Sequence, residues 1–199
     1  LVGGGEVRIV HGTDTVLLDN RLGVTPGNFF ANYIADELVP EDYTTAFELF
    51  ITTQKGETAY ATTRMLPPFP IDSVVIEFQE GDTLARALTY YTDRLDEENY
   101  VRRVLYYQSR DSIDQDFVTD DRFVDSETVA FGTAFEFAPG DTLINRLYHI
   151  EQDYYNFVIS VYGSLDANGN PFAQPGEIQS NIQGAEAPLG IFTFLSYDE

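Results

Sequence analysis

From Tyr43 to Thr53 the chain reads YTTAFELFITT, which alternates well enough to set Phe47, Leu49 and Ile51 on every second position, and Thr58 to Thr63 returns after the turn Gln54-Lys55-Gly56-Glu57. Successive side chains of an extended chain point to opposite faces, so Phe47, Leu49 and Ile51 line one side of a strand. Two short strands joined by a polar, glycine-bearing turn form an antiparallel hairpin. A hairpin on its own is marginal in water, so this one must belong to a larger sheet that buries its apolar face.

The same period recurs on both sides. Glu6 to Val10 and Thr15 to Leu18 flank a His-Gly-Thr-Asp turn and read as a second hairpin, and Phe29 to Ile34 reads as a further strand. These elements predict a partial β-sandwich of the immunoglobulin or transthyretin kind over residues 1–66. Its strands are few for a closed sandwich, so further N-terminal strands are expected to be missing. Leu66-Pro67-Pro68-Phe69-Pro70 cannot continue a strand or a helix and marks a boundary, read here as a stiff connector. Beyond it a second β-rich domain is predicted over 67–199. Its strands are expected at Ser73–Phe78, Ala85–Thr92, Asn99–Gln108, Thr128–Phe137 and Thr142–Ile150, with a long acidic connection at Ser109–Asp125. In Glu151 to Leu165 the period changes: Tyr154, Phe157, Val158, Val161 and Leu165 recur every three or four residues, the stripe of one amphipathic α-helix over about 151–165. Leu189 to Leu195 reads as a closing strand. The fold class is therefore mainly β, a sandwich-like unit followed by a second antiparallel unit carrying one helix.

Charge narrows the function. There are 33 acidic and 11 basic residues, a formal net charge of −22. A field of that sign repels phosphate backbones and anionic lipid headgroups, so neither nucleic acid nor direct membrane adhesion is an expected partner. The chain has no cysteine, so disulfides, thiolate metal sites and cysteine nucleophiles are excluded. It carries no apolar run approaching the length of a membrane span. It begins at Leu1 without an initiator Met, which is read as an N-terminal portion having been removed.

No chemistry-bearing motif stands out. Asp166-Ala167-Asn168-Gly169-Asn170 has the opening spacing of a calcium loop, but Pro171 occupies the position that requires Gly, and Glu177 stands at the twelfth place. A helix end and a turn account for the same residues. Asp111, Asp114, Asp116, Asp120, Asp121 and Asp125 could offer oxygen ligands to a hard cation, yet nothing in their spacing defines a geometry, and Asp96-Glu97-Glu98 reads as an exposed turn. His11 and His149 have no adjacent nucleophile and are read as structural. The pairs Tyr90-Tyr91, Tyr106-Tyr107 and Tyr154-Tyr155 could each expose one ring to a sugar or a protein. Catalytic residues, metal ligands and cofactors are expected to be absent, and ligand-binding residues cannot be assigned.

An ordered series of blocks does carry a resemblance. Tyr43–Thr63 is followed by Leu66-Pro67-Pro68-Phe69-Pro70-Ile71-Asp72-Ser73, then Asn99-Tyr100-Val101-Arg102, Asp120-Asp121-Arg122-Phe123-Val124-Asp125, Gly140-Asp141-Thr142 and Tyr154-Tyr155. The tail adds Asn170-Pro171-Phe172-Ala173-Gln174-Pro175, Ser180-Asn181-Ile182 and Leu189-Gly190-Ile191-Phe192. In order and spacing this set resembles the Bacteroidetes domain-of-unknown-function family 4249 (DUF4249), with Val101 and Ser126 as departures. The resemblance implies an outer-membrane, cell-surface lipoprotein held only by an inferred lipid anchor. It also implies a non-enzymatic accessory role beside a TonB-dependent transporter or another outer-membrane β-barrel complex. A surface glycan- or peptide-binding module is the alternative, and a carbohydrate-active enzyme the least expected.

Overall fold

The computed structural model describes residues 4–24, 30–81, 83–122, 126–168, 176–184 and 188–199. Among them the chain is mainly β, with antiparallel sheets and one α-helix. It divides into two compact units, Leu1–Leu66 with Asp153–Phe194, and Pro67–Gln152 with Leu195–Glu199. The helix and most of the tail, expected inside a contiguous 67–199 domain, thus group with the N-terminal segment.

In the first unit a five-stranded sheet has the order β13-β6-β5-β1-β2. Its strands are β1 (Glu6–His11), β2 (Asp14–Leu18), β5 (Phe47–Thr52), β6 (Thr58–Thr63) and β13 (Gln183–Gly184). The two expected hairpins are β1–β2 and β5–β6, and β1 joins them by pairing with β5. Gly12 and Gly56 take the positive φ values of 58° and 82° that the two turns require. The alternation sends Phe47 and Leu49 inward, and Val7, Leu49 and Ala61 form a core against which Ile9, Tyr33, Ile51, Ile182 and Phe192 pack. Of the strand expected at Phe29–Ile34 the structure keeps β4 (Phe30–Ala31), paired with β3 (Gly23–Val24), and an isolated bridge from Ile34 to Asp19; Phe29 lies outside the described residues.

The helix α1 runs Gln152–Asn168, longer at its end than the sequence pattern indicates, with Asp153 in the first turn, where a negative charge suits the helix dipole. The tail that follows is not a closing strand at Leu189–Leu195. Its backbone is held by side chains instead. Asn181 Nδ2 donates to Phe192 O at 2.8 Å and Asn181 Oδ1 accepts from Phe192 N at 2.9 Å, so one amide replaces a strand partner. Ser180 Oγ accepts from Ile182 N and Gly190 N, and lies 2.9 Å from Gly190 O and 3.0 Å from Pro188 O, to one of which it donates. Residues 170–175 of the tail and the centre of the calcium-like spacing lie outside the described residues.

The second unit stacks two sheets. One has the order β10-β9-β12-β14 and the other β11-β8-β7. The strands are β7 (Ile71–Phe78), β8 (Ala85–Thr92), β9 (Tyr100–Tyr107), β10 (Ile113–Asp120), β11 (Thr128–Gly132), β12 (Leu143–Ile150) and β14 (Ser196–Asp198). Phe69, Tyr91, Val101 and Leu147 form the buried core between the sheets, and Phe117 of β10 meets Phe131 of β11 edge-on at 5.6 Å. The acidic connection expected at Ser109–Asp125 is largely β10. Its aspartates alternate with Ile113, Gln115, Phe117 and Thr119, which is a strand pattern, and Arg102 clamps Asp116 through bonds of 2.8 and 2.6 Å. β11 stops at Gly132, short of Phe137, because Thr133 Oγ1 takes the Ala87 N–H at 3.0 Å and breaks the backbone ladder.

Asn181→Ala should lower stability by about 1–3 kcal/mol, since it leaves both polar groups of Phe192 without their partner. Urea unfolding of the variant against the parent chain measures it.

Candidate functional site

Between the two sheets of the second unit lies a cleft of about 660 Å³, a size typical of ligand sites. It exists because β8 places Ala85 and Ala87 on its inward face, where larger side chains would fill the gap. On one side stand Val74, Ile76 and Phe78 of β7, which remain 49%, 49% and 57% exposed. Opposite them are Leu105 of β9 and Leu143 and Asn145 of β12. The walls are therefore mostly apolar.

Three polar side chains interrupt the inward face of this unit. Thr89 stands between Ala87 and Tyr91, Arg103 between Val101 and Leu105, and Asn145 between Leu143 and Leu147, each at an inward position of its strand. Arg103 is fully buried; its Nε donates to Asn145 Oδ1 at 2.8 Å and its Nη1 to Gln115 Oε1 at 3.0 Å. Among the described residues no carboxylate forms an ion pair with it, and burial pushes its pKa down against a partial lift from Asp114. The bond from Arg103 fixes the Asn145 amide, so Nδ2 must face away from it. Thr89 Oγ1, Asn145 Nδ2 and Arg103 Nη2 are buried without a hydrogen-bond partner. Each such group costs about 1–3 kcal/mol when left unpaired, so three together call for a compensating acceptor. Thr89 and Asn145 line the cleft itself.

The carboxylates at the cleft are occupied as hydrogen-bond acceptors. Asp141 accepts from Ala138 N at 2.7 Å, Tyr107 Oη at 2.9 Å and Gln108 Nε2 at 3.0 Å. Asp198 accepts from Ile71 N at 2.8 Å. Glu199 is held by Arg110 and by Arg146 Nε, and those bonds lower its pKa. A glycosidase acid needs a carboxyl whose pKa is raised, which Glu199 is not.

Residues singled out from the sequence lie elsewhere. His11 Nε2 is 3.0 Å from Asp42 Oδ2 in the first unit, its ring stacked 4.2 Å from Phe47, and Asp42 is held well below the usual carboxylate range by the Thr44 hydroxyl and amide. His149 is buried beside Phe69 and donates from Nδ1 to Pro67 O at 2.8 Å. Of the tyrosine pairs, Tyr91 and Tyr106 are buried and Tyr90, Tyr107, Tyr154 and Tyr155 half-buried, so none presents an open platform. Among the described residues no His, Cys, Asp and Glu cluster could hold a metal ion. Asn99 binds the loop before β9 together: Nδ2 lies 2.9 Å from Asp121 Oδ2, 3.0 Å from Arg94 O and 3.1 Å from Glu97 O. Burial and the neighbouring Asp121 charge raise the pKa of Asp93, which Asn99 also contacts at 3.2 Å. The site residues Thr89, Arg103 and Asn145 escaped the sequence reading; the signal for them is a polar residue at an inward place of an otherwise apolar alternation.

Two measurements check this account. Thr89→Val removes a buried hydroxyl that has no partner, so the unliganded chain should gain up to about 1 kcal/mol in urea unfolding. His149 gives a pH dependence, because burial pushes its imidazole pKa below 6.5. Above that pH both folded and unfolded forms are neutral. As pH falls below it, the unfolded chain takes up the proton first and stability drops by at most about 1.4 kcal/mol per unit. His149→Gln should therefore lose less stability than the parent chain between pH 7.5 and 5.5, as read from urea midpoints at the two values.

Comparison with known proteins gives one family. The family model described as domain of unknown function (DUF4249) matches residues 19–199, which spans both units. Neither the curated proteins nor the solved structures include a match. The blocks at Leu66–Ser73, Asn99–Arg102 and Ser180–Phe192 all fall inside the matched range, where Asn99, Ser180 and Asn181 fasten backbone. The chain therefore belongs to the DUF4249 family.

Proposed function

We propose that the protein is a non-enzymatic binding protein of the cell surface, an outer-membrane accessory lipoprotein that works with a TonB-dependent transporter or another outer-membrane β-barrel complex. The observation that carries the binding role is the cleft of the second unit: apolar walls with the unpartnered donors Thr89 Oγ1 and Asn145 Nδ2 at its lining. A site of that composition takes an apolar body bearing one hydrogen-bond acceptor. The membrane setting comes from the resemblance to the family. A charge of −22 fits attachment through a lipid and a protein partner in preference to anionic headgroups. Among the described residues no helix is long and apolar enough to cross a membrane.

The reading of a surface glycan- or peptide-binding module is the same cleft without the transporter, and the unpartnered donors favour it equally. Carbohydrate hydrolysis fits least, given the ion-paired state of Glu199.

The tagged protein, expressed from its full-length gene in its own cells, should fractionate with membranes and bring down a β-barrel protein in several detergents. Recovery without any barrel partner would sink the transporter role. Ala87→Phe, which fills the cleft, should abolish signals on glycan and peptide arrays.

A further inference from the structure

Among its described residues the second unit is a sandwich of two unequal sheets. Its larger sheet carries four strands, ending in β14, and its smaller sheet three, ending in β7. β11 lies against β10 through Phe131 and Phe117, and β8 against β9 and β12 through Tyr91, Val101 and Leu147. At its start β7 touches β14, where Ile71 N donates to Asp198. From Val74 onward the inward face of β7 borders the open cleft.

The hydrogen-bond phase of β7 follows from β8. Ala85 N donates to Phe137 O and Ala87 O accepts from Thr133 N, so the odd-numbered residues of β8 direct their backbone groups toward β11. Arg86, Leu88 and Tyr90 therefore bond to Glu77, Val75 and Ser73, their partners in the register, and Gln79 N donating to Leu84 O continues that phase. It follows that Val74, Ile76 and Phe78 turn their N–H and C=O groups to the free edge. Among the described residues no strand pairs with β7 on that side. Edge strands are usually blunted by Lys, Pro or a bulge. In β7 the bulge lies between Ile71 and Ser73, before the open segment, and Val74-Val75-Ile76 carries no charge and no Pro.

We propose that Val74–Phe78 of β7 accepts an extended strand from a partner protein, apolar at the alternate positions that face the cleft and basic at its ends. The incoming strand would be the fourth of the smaller sheet, and one of its inward side chains would fill the space over Ala85 and Ala87. An acceptor on that side chain meets Thr89 Oγ1 and Asn145 Nδ2. Charge selects the occupant. Asp141 and Asp198 at the cleft have no cationic partner in any ion pair among the described residues, and the whole chain carries −22. Two copies of this chain would repel one another at an edge, whereas a basic-ended strand is attracted. This rests on the reading of the cleft as a binding site and not on the membrane setting.

The test uses the 199-residue chain and a displayed library of peptides about eight to ten residues long, the length of a strand. Selected peptides should alternate apolar residues and carry Lys or Arg at their ends. Their binding should weaken about tenfold or more with Ile76→Lys, and equally when alternate peptide amides are N-methylated. Nile red serves as the second probe, with Ala87→Phe as its control. If no peptide is enriched, or binding ignores both Ile76→Lys and N-methylation, strand addition is wrong. Should Nile red then still bind the parent chain and not Ala87→Phe, the cleft stands as a small-ligand site. Loss of both probes overturns the binding reading as well. A dimer of the chain in sedimentation that Ile76→Lys dissolves would overturn the proposal, because the edge would then be closed by a second copy.

Discussion

The inward face shared by β8, β9 and β12 organises the second unit, because its core of Tyr91, Val101 and Leu147 with Phe69 holds two sheets of unequal width together. Aromatic and branched side chains fill the space on the β11 and β10 side. Toward the start of β8 the inward residues shrink to Ala87 and Ala85, and the filling stops. A cleft is the geometric result of that change in side-chain volume, since sheets held about 10 Å apart collapse only as far as their contacts allow. The half-exposed inward face of β7 and the buried donors Thr89 Oγ1 and Asn145 Nδ2 border that cleft.

The family's short motifs have a common structural task. Asn99 gathers the loop of residues 93–98 and the end of β10, Arg102 clamps Asp116, and Ser180 with Asn181 stands in for a strand along Gly190 to Phe192. Each satisfies backbone or carboxylate groups that irregular segments would otherwise leave unpaired. Asn99, Arg102, Ser180 and Asn181 stay clear of the cleft, while Ile71, Ser73, Gly140 and Asp141 of other blocks line it. The motifs at Asn99–Arg102 and Ser180–Phe192 are therefore fasteners of the fold, and the unpartnered polar groups of the cleft are inconspicuous ones, a threonine and an asparagine in alternating strands.

How far the residues could be read depends on the range of the interaction involved. Alternation is a local property, and β1, β2, β6, β8 and β12 were apparent from it to within a residue or two; β5 starts at Phe47, later than Tyr43, and the helix, apparent from its three- and four-residue stripe, runs on to Asn168 beyond Leu165. The acidic run misled because charge density drew attention away from the period-2 placement of Ile113, Gln115 and Phe117. The tail misled because its apolar residues are held by Asn181 and Ser180, whose bonds span up to about ten positions and leave no periodic trace. Thr89, Arg103 and Asn145 could have been marked as polar intruders at inward places, but that one polar atom of each stays unpartnered is a fact of three strands brought together.

By itself the amino-acid sequence determined the β class, most strand positions, the single described helix, the strongly negative charge and the family, because these depend on residue types at fixed short spacings. Only the tertiary structure decided which apolar faces are covered. Val74, Ile76 and Phe78 carry the same alternation as the core strands, yet they border open space because their sheet ends there. The tertiary contacts also group Asp153–Phe194 with the N-terminal segment, although Pro67–Gln152 separates the two in sequence. Burial is set by which strand lies opposite, and that is a property of the whole assembled chain.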